Sequence, residues 1–398
     1  MAFCLILSSQ FQYFSANFRE GWEREGASFV VYHNGRKVVD LWGGYADKEC
    51  ERLWKKDTLN VAFSSTKAMA ALCVARLVDQ GRLRYDDLVT RFWPEFGKNG
   101  KENITVRWLL GHRTPNWPPG TQTGYHAFTY GWLADQIVRR VDPKHRSIGV
   151  YFKEEFAEKY NLDFHIGLPR CESYRVSRLT SPTFWDAVEE YARKPSDFNL
   201  SRFFHQMLFD GLLSKVGHNI PWIAFVKRMT LNNPDLYGIE QAAVLGIGTS
   251  RAMAELFERF RQEYPWNLLV DAVFNSFRNY KTKTKQKPKQ TIHFSVGELM
   301  SPATFKQLTS DYVLQGDIVT GAYVARGQGL MIKKFHHNNV TIDLLGHSGY
   351  GGQNIRVDLK NNVTLAYMSN GLKLGFGDTA RTYIRLLHSL YDVIDPSE

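Results

Sequence analysis

The chain has 398 residues, 43% of them hydrophobic, 23% charged and 14% aromatic, which excludes wholesale disorder and leaves room for a large core with more than one layer. The formal net charge is +10 and the pI about 9.3, a balance that permits nucleic-acid or acidic-membrane contact. The basic charge is mostly spread along the chain, with one concentrated run, 281–289 (KTKTKQKPK), which has no interleaved aromatics and no nucleic-acid motif beside it; we read it as a solvated linker rather than a phosphate- or lipid-binding patch. No window approaches the ~20 continuous apolar residues of a membrane span. Cys4, Cys50, Cys73 and Cys171 form no C-x-x-C pair, so neither a disulfide framework nor a zinc site is expected. The opening MAFCLILSSQ has a short apolar stretch without a preceding basic residue. It therefore does not read as a secretory signal, and cytoplasmic is the default expectation, with a mitochondrial location left open.

In chain order, 11–25 has helix-like spacing. Two β-rich runs follow, 28–33 (SFVVYH) and 37–42 (KVVDLW), and the Asn34-Gly35 between them is a strong hairpin signal. The next stretch, 64–80 (SSTKAMAALCVARLVDQ), repeats its apolar residues near a 3.6 period, starts on Ser and Thr, and stops before Gly81. It is apolar on more than one face and is expected to be buried. From about 85 to 280 the pattern is mainly helical, with helices at 132–141, 149–160, 183–191, 201–213 and 251–263. Strands return at 330–334, 340–345, 354–358 and 363–369, and an amphipathic helix at 379–393 closes the chain. Strands at both ends suggest one sheet built from 1–60 and 291–398, a helical part from 61–280, and 281–290 as a linker or insertion. Any chemistry then belongs in the cleft between the two parts.

Three constellations could carry that chemistry. Ser64-Ser65-Thr66-Lys67 is the chain's S-x-x-K. On a helix, residues three apart share a face, so the amine can approach the hydroxyl and, if desolvated, accept its proton. A helix N-terminus also offers unpaired N–H groups to a developing oxyanion. The competing reading is a helix cap followed by an exposed lysine. Tyr125-His126 could share protons with such a pair, or be a loop tyrosine and a structural histidine. Gly346-His347-Ser348-Gly349-Tyr350-Gly351-Gly352 permits close backbone approach to a ligand. Ser348 does not fit a G-x-S-x-G nucleophile elbow, because position 350 is Tyr and strands, not a helix, follow. GIGTSR at 246–251 has no preceding strand and the wrong spacing for a dinucleotide fingerprint, and His336-His337 reads as an exposed turn pair.

Taken in order, VVDLWGGYAD (38–47), FSSTKAMAA (63–71), ITVRWLLGHRT (104–114), PGTQTGYHAFTYGWLADQIVRR (119–140), FHIGLP (164–169) and GHSGYGGQN (346–354) resemble the serine β-lactamase-related family, and in particular its class C and esterase branch. The resemblance implies an α/β (α+β) fold of the β-lactamase/transpeptidase type, with an antiparallel sheet flanked by helices and an all-helical subdomain. It implies a serine hydrolase acting on a small ester, amide or peptide, without cofactor or metal and with no nucleic-acid partner, and it leaves a homo-oligomer open. Ser64 would be the acylated nucleophile, Lys67 its base partner and Tyr125 the proton relay. The N–H groups of Ser64 and Tyr350 would form the oxyanion hole, and His347-Ser348-Gly349 would stand where many relatives carry Lys-Thr-Gly. The chain departs from the pattern at Ala127, often Asn in relatives, at His347, and in the short connection from Pro115 to Pro118 ahead of Pro119-Gly120-Thr121. The alternative left open by that short connection is a catalytically weak or inactive chain that keeps the fold as a binding or assembly module.

Overall fold

The computed structural model describes residues 2–114, 117–193, 215, 220, 222–223, 228–263, 298–374 and 377–394. The expected helix at 201–213, the basic run 281–289 and Pro115 lie outside them.

The chain opens with α1 (Ala2–Arg19), β1 (Gly26–His33) and β2 (Arg36–Asp47). The helix both starts and ends earlier than the spacing of 11–25 implies: Gly21, at φ +77°, turns the chain, and the Glu23 N–H bonds back to the Asn17 carbonyl at 2.8 Å. Asn34 (φ +51°) and Gly35 (φ +78°) are both left-handed, the geometry that lets a two-residue hairpin follow strand twist. Two short strands follow, β3 (Arg52–Leu53) and β4 (Asn60–Val61), and then α2 (Thr66–Asp79). The next elements are α3 (Val106–Leu110), α4 (Thr129–Val141), α5 (Ile148–Phe152), α6 (Glu158–Tyr160), β5 (Phe164–Ile166), α7 (Phe184–Arg193), β6 (Gly246–Gly248) and α8 (Ser250–Gln262). The last part runs α9 (Pro302–Thr309), β7 (Val313–Gly316), β8 (Tyr323–Arg326), β9 (Met331–His337), β10 (Val340–Ser348), β11 (Asn354–Asp358), β12 (Val363–Ser369) and α10 (Arg381–Tyr391).

One nine-stranded antiparallel sheet has the order β3-β2-β1-β12-β11-β10-β9-β8-β7. The N- and C-terminal strands meet where β1 pairs with β12, Ala27 opposite Ser369 and His33 opposite Val363. β1 and β12 are buried along nearly their whole length because both faces are covered, so they read as continuous apolar runs. Alternation still sorts their side chains. Phe29, Val31, Leu365 and Tyr367 pack with α1 and α10, while Val30, Tyr32, Ala366 and Met368 share the larger core with α2 and α8. Among the described residues no helix is long and apolar enough to cross a membrane.

The stretch expected to be mainly helical also holds β5 and β6, which form a small sheet with β4 in the order β4-β6-β5. The glycines of GIGTSR are therefore themselves a strand, and their smallness has a packing cause: a Cβ on Gly246 would lie 2.6 Å from Thr66 Oγ1. His337 is a correction too. It is buried near the end of β9, within 3.0 Å of the His388 ring nitrogen and 3.2 Å of the Asp392 carboxylate, and only His336 is exposed.

Candidate active site

β4 delivers the chain to a single 3-10 turn, Phe63–Ser65, which runs straight into α2. Phe63 sits at φ +46°, a costly conformation for a residue with a Cβ, so its surroundings must hold it. They do so with several bonds. Thr66 Oγ1 donates to the Phe63 carbonyl at 2.6 Å and accepts from the Gly246 N–H at 3.0 Å, and the Ala62 N–H donates to the Gly246 carbonyl at 2.8 Å. Ser65 Oγ donates to the His347 carbonyl at 3.3 Å, which ties the turn to β10. Ser64 rides on this turn and is 8% exposed.

Lys67 lies three residues further on and is 0% exposed. Its Nζ donates to Ser64 Oγ at 3.3 Å and to the carbonyls of Ala127 and Ala243 at 2.9 and 3.1 Å. Among the described residues no carboxylate pairs with it. Burial therefore holds its proton affinity well below that of an ordinary lysine, and the positive charge of Arg326 lowers it further. A lysine in this state gives up a proton more readily than an exposed one. The geometry rules out the plain cap with a solvated lysine.

Tyr125 lies in the loop ahead of α4, 5% exposed. The Lys67 amine is 4.8 Å from the centre of its ring, and the Ser64 side chain is among the neighbours that act on its phenol. Burial raises the phenol's pKa, against the lowering influence of Ser64 and Arg326. The loop is pinned from α3. The His112 carbonyl accepts from the Gly124 N–H at 3.0 Å, and His112 Nδ1 accepts from the His126 N–H at 3.1 Å. That acceptance fixes the His112 tautomer with its proton on Nε2. The His112 ring also packs between Tyr125 and Tyr130, 4.8 and 5.2 Å between centres. Burial is the first cause that keeps His112, His126 and His347 below the usual histidine range, with His126 at about 4. The site is thus lined by neutral imidazoles.

The end of β10 closes the other side. His347 Nδ1 donates to the Ser348 carbonyl at 2.7 Å, and its ring lies 6.3 Å from that of Tyr125. Beyond it the backbone passes very close to the turn that carries Ser64. A Cβ on Gly349 would stand 2.5 Å from the Ala62 carbonyl oxygen and 3.2 Å from Phe63 Cβ, so only glycine fits. The approach seats the Tyr350 ring edge-on to Phe63, 5.6 Å between centres. Gln353, fully buried, fastens the loop: its carbonyl accepts from the Gly349 N–H at 2.7 Å while its amide exchanges bonds with the Ser369 backbone.

The structure therefore gathers Ser64, Lys67, Tyr125 and His347, and brings Gly349 and Tyr350 against the turn that carries Ser64. Ser348 is buried at the strand end, and its hydroxyl bonds none of Ser64, Lys67 or Tyr125. His112, Tyr130, Ala243 and Arg326 went unassigned in the sequence. The first two lie in the matched segments 104–114 and 119–140, but their partners come from sequence-distant elements. Arg326 ends a strand too short to read.

The protein-family model described as Beta-lactamase matches residues 14–389. An esterase/beta-lactamase of Mycobacterium tuberculosis, LipL, is 30% identical over 262 residues, which covers 58% of this chain and 57% of that protein; the chain thus matches less than two thirds of its length. Among solved structures, a penicillin-binding protein homologue from Caulobacter crescentus is 28% identical with a TM-score of 0.72 over 97% of each chain. A family VIII carboxylesterase is 26% identical with a TM-score of 0.71 over 98% of this chain and 97% of its own. The sheet with its flanking helices is the fold of these neighbours, and the match runs through the Ser64 turn, the Tyr125 loop and the end of β10: the chain belongs to the beta-lactamase family.

Proposed function

We propose that the chain is a serine hydrolase that cleaves a small ester or amide through an acyl-enzyme on Ser64. The observation that carries this reading is the fully buried Lys67 amine, 3.3 Å from Ser64 Oγ and without a carboxylate partner among the described residues. Ser64 Oγ attacks the substrate carbonyl while its proton passes to the Lys67–Tyr125 pair. The carbonyl oxygen becomes an oxyanion, received by the N–H groups of Ser64 and Tyr350. Collapse breaks the bond to the leaving group, which takes its proton back through Tyr125. Water then adds to the acyl carbonyl and loses a proton to the same pair, and collapse breaks the bond to Ser64 Oγ, which takes that proton back as the acid leaves. His347-Ser348-Gly349 lines the cleft as an edge for the substrate. The names of the esterase relatives favour an ester over an amide.

A fluorophosphonate probe should label the wild type on Ser64 and leave Ser64→Ala unlabelled; equal labelling of both proteins rejects the assignment. The connection from Thr114 to Pro119 motivates a second reading, a fold retained for binding or assembly. A folded wild type that neither takes the probe nor hydrolyses activated esters supports that second reading.

A further inference from the structure

The mechanism proposed above leaves a buried ion pair unused. Arg326, at the end of β8, is 6% exposed, and its Nη1 donates to Asp317 Oδ2 at 2.7 Å. Its guanidinium carbon lies 5.4 Å from the centre of the Tyr125 ring. Its Nε is buried and has no acceptor among the described residues. Asp317 is fully fixed: its Oδ1 accepts from the N–H groups of Val319 and Thr320 at 3.0 and 2.7 Å and from Thr320 Oγ1 at 3.0 Å. The same turn grips the Tyr125 loop, since the Ile318 N–H donates to the Thr123 carbonyl at 3.0 Å and Thr123 Oγ1 donates to Gln315 Oε1 at 2.9 Å. One turn thus holds a permanent cation in place and holds the tyrosine beneath it.

We propose that Arg326, anchored by Asp317, is the fixed positive charge that keeps the Lys67–Tyr125 pair ready to accept the Ser64 proton at neutral pH. This rests on the hydrolase reading of the site. Among the described residues, the groups facing Tyr125 include Ser64 and Lys67 from the α2 turn, His112 after α3, its neighbour His126, Tyr130 on α4, His347 on β10, Arg326 on β8 and Asp317 beyond β7. The imidazoles are held neutral by burial, and the anion of the cluster, Asp317, raises the proton affinity of Tyr125 and so offsets part of the charge of Arg326. A cation repels an ammonium and attracts a phenolate, so Arg326 lowers the proton affinity of both Lys67 and Tyr125. The sign is the same whichever of the two takes the proton. Arg326 is a positioning residue in this scheme, because it acts through the pair and not on the substrate.

The test is the rate of Ser64 labelling by a fluorophosphonate probe as a function of pH. Removing the charge in Arg326→Gln raises both proton affinities and should move the acid limb of the profile up by about one pH unit, the size expected for a half-compensated charge at this separation in a protein interior. Arg326→Lys keeps the charge and should hold the limb near its wild-type position. A lone buried aspartate can unfold the single variant. The Asp317→Asn/Arg326→Gln double variant covers that case, and its limb should move in the same direction by a smaller amount. An unmoved limb in a folded charge-free variant, or an equal shift in Arg326→Lys, overturns the proposal. Failure of the wild type to label at all instead rejects the hydrolase reading, and this inference falls with it.

Discussion

Replacing Gly349 with alanine adds one methyl group where the chain leaving β10 crosses the turn that carries Ser64. That carbon would begin 2.5 Å from the Ala62 carbonyl oxygen, 2.9 Å from Gln353 Cβ and 3.2 Å from Phe63 Cβ. An unstrained carbon–oxygen contact needs roughly 3.3 Å, so the two backbones must part by about 0.8 Å. Neither can yield cheaply. The Gln353 carbonyl and the Ser65–His347 bond hold them from opposite sides, and Phe63 is already at a strained φ. The overpacking should cost about 1–3 kcal/mol of stability. Its effect on the chemistry should be larger in kind, because the displacement lies between the two N–H groups proposed to receive the oxyanion. A misplacement near 1 Å costs about 100-fold. Chemical denaturation would measure the first quantity and the second-order rate of fluorophosphonate labelling the second. A Gly349→Ala protein that is folded and labels within about threefold of wild type would refute the reasoning, since it would mean the Tyr350 side does not help form the site.

Lys67→Met should reduce Ser64 labelling by about 10²–10⁴-fold, the range for loss of a general base, while leaving the protein at least as stable at neutral pH, because a buried amine gives way to an apolar chain of similar length. Lys67 binds its proton less tightly in the fold than in the unfolded chain, so wild-type stability rises with pH between its folded value and the ordinary lysine value; denaturant titrations should show that slope reduced in Lys67→Met. His126 gives a matching effect at acid pH. Burial holds it at about 4, below its ordinary 6.5, so the unfolded chain takes up the proton first and stability is lost as pH falls from about 6.5 to about 4. His126→Gln should flatten that part of the curve, and an unchanged slope between pH 7 and 4 would show that the ring is not held neutral.

What was legible in the sequence follows from how locally each feature is determined. β11 and β12 have the bounds their apolar runs announced, 354–358 and 363–369, and Asn34-Gly35 makes its hairpin, because a two-residue turn and a buried central strand are both set by their own residues. β7 and β8 were not legible. They are four-residue strands at one margin of the sheet, β7 forming its edge, partly exposed and too short to separate from loop. The helix at 251–263 is there to within a residue, since its apolar stripe is long and Thr249 caps it through the Ala252 N–H.

The candidate site divides along the same line. Ser64 and Lys67 are three residues apart on one turn, so their meeting is a local fact that S-x-x-K spacing can express. Every property that makes the pair more than a capped helix comes from elsewhere: the carbonyls of Ala127 and Ala243 that hold the amine, the Gly349 backbone that seals the turn, and the charge of Arg326 over Tyr125. These residues are spread from 125 to 349, on elements that touch only because β10 and β6 both dock on the start of α2. A residue's proton affinity depends on such neighbours and not on its place in a motif. His347 illustrates this. By the family resemblance a histidine stands there in place of a lysine, and the fold buries it, directs its Nδ1 proton to the Ser348 carbonyl and lowers its proton affinity, so the permanent charge beside Tyr125 is supplied from β8 instead. On the proposed reading, the strand that would align the substrate edge and the strand that carries the charge are therefore different strands in this chain.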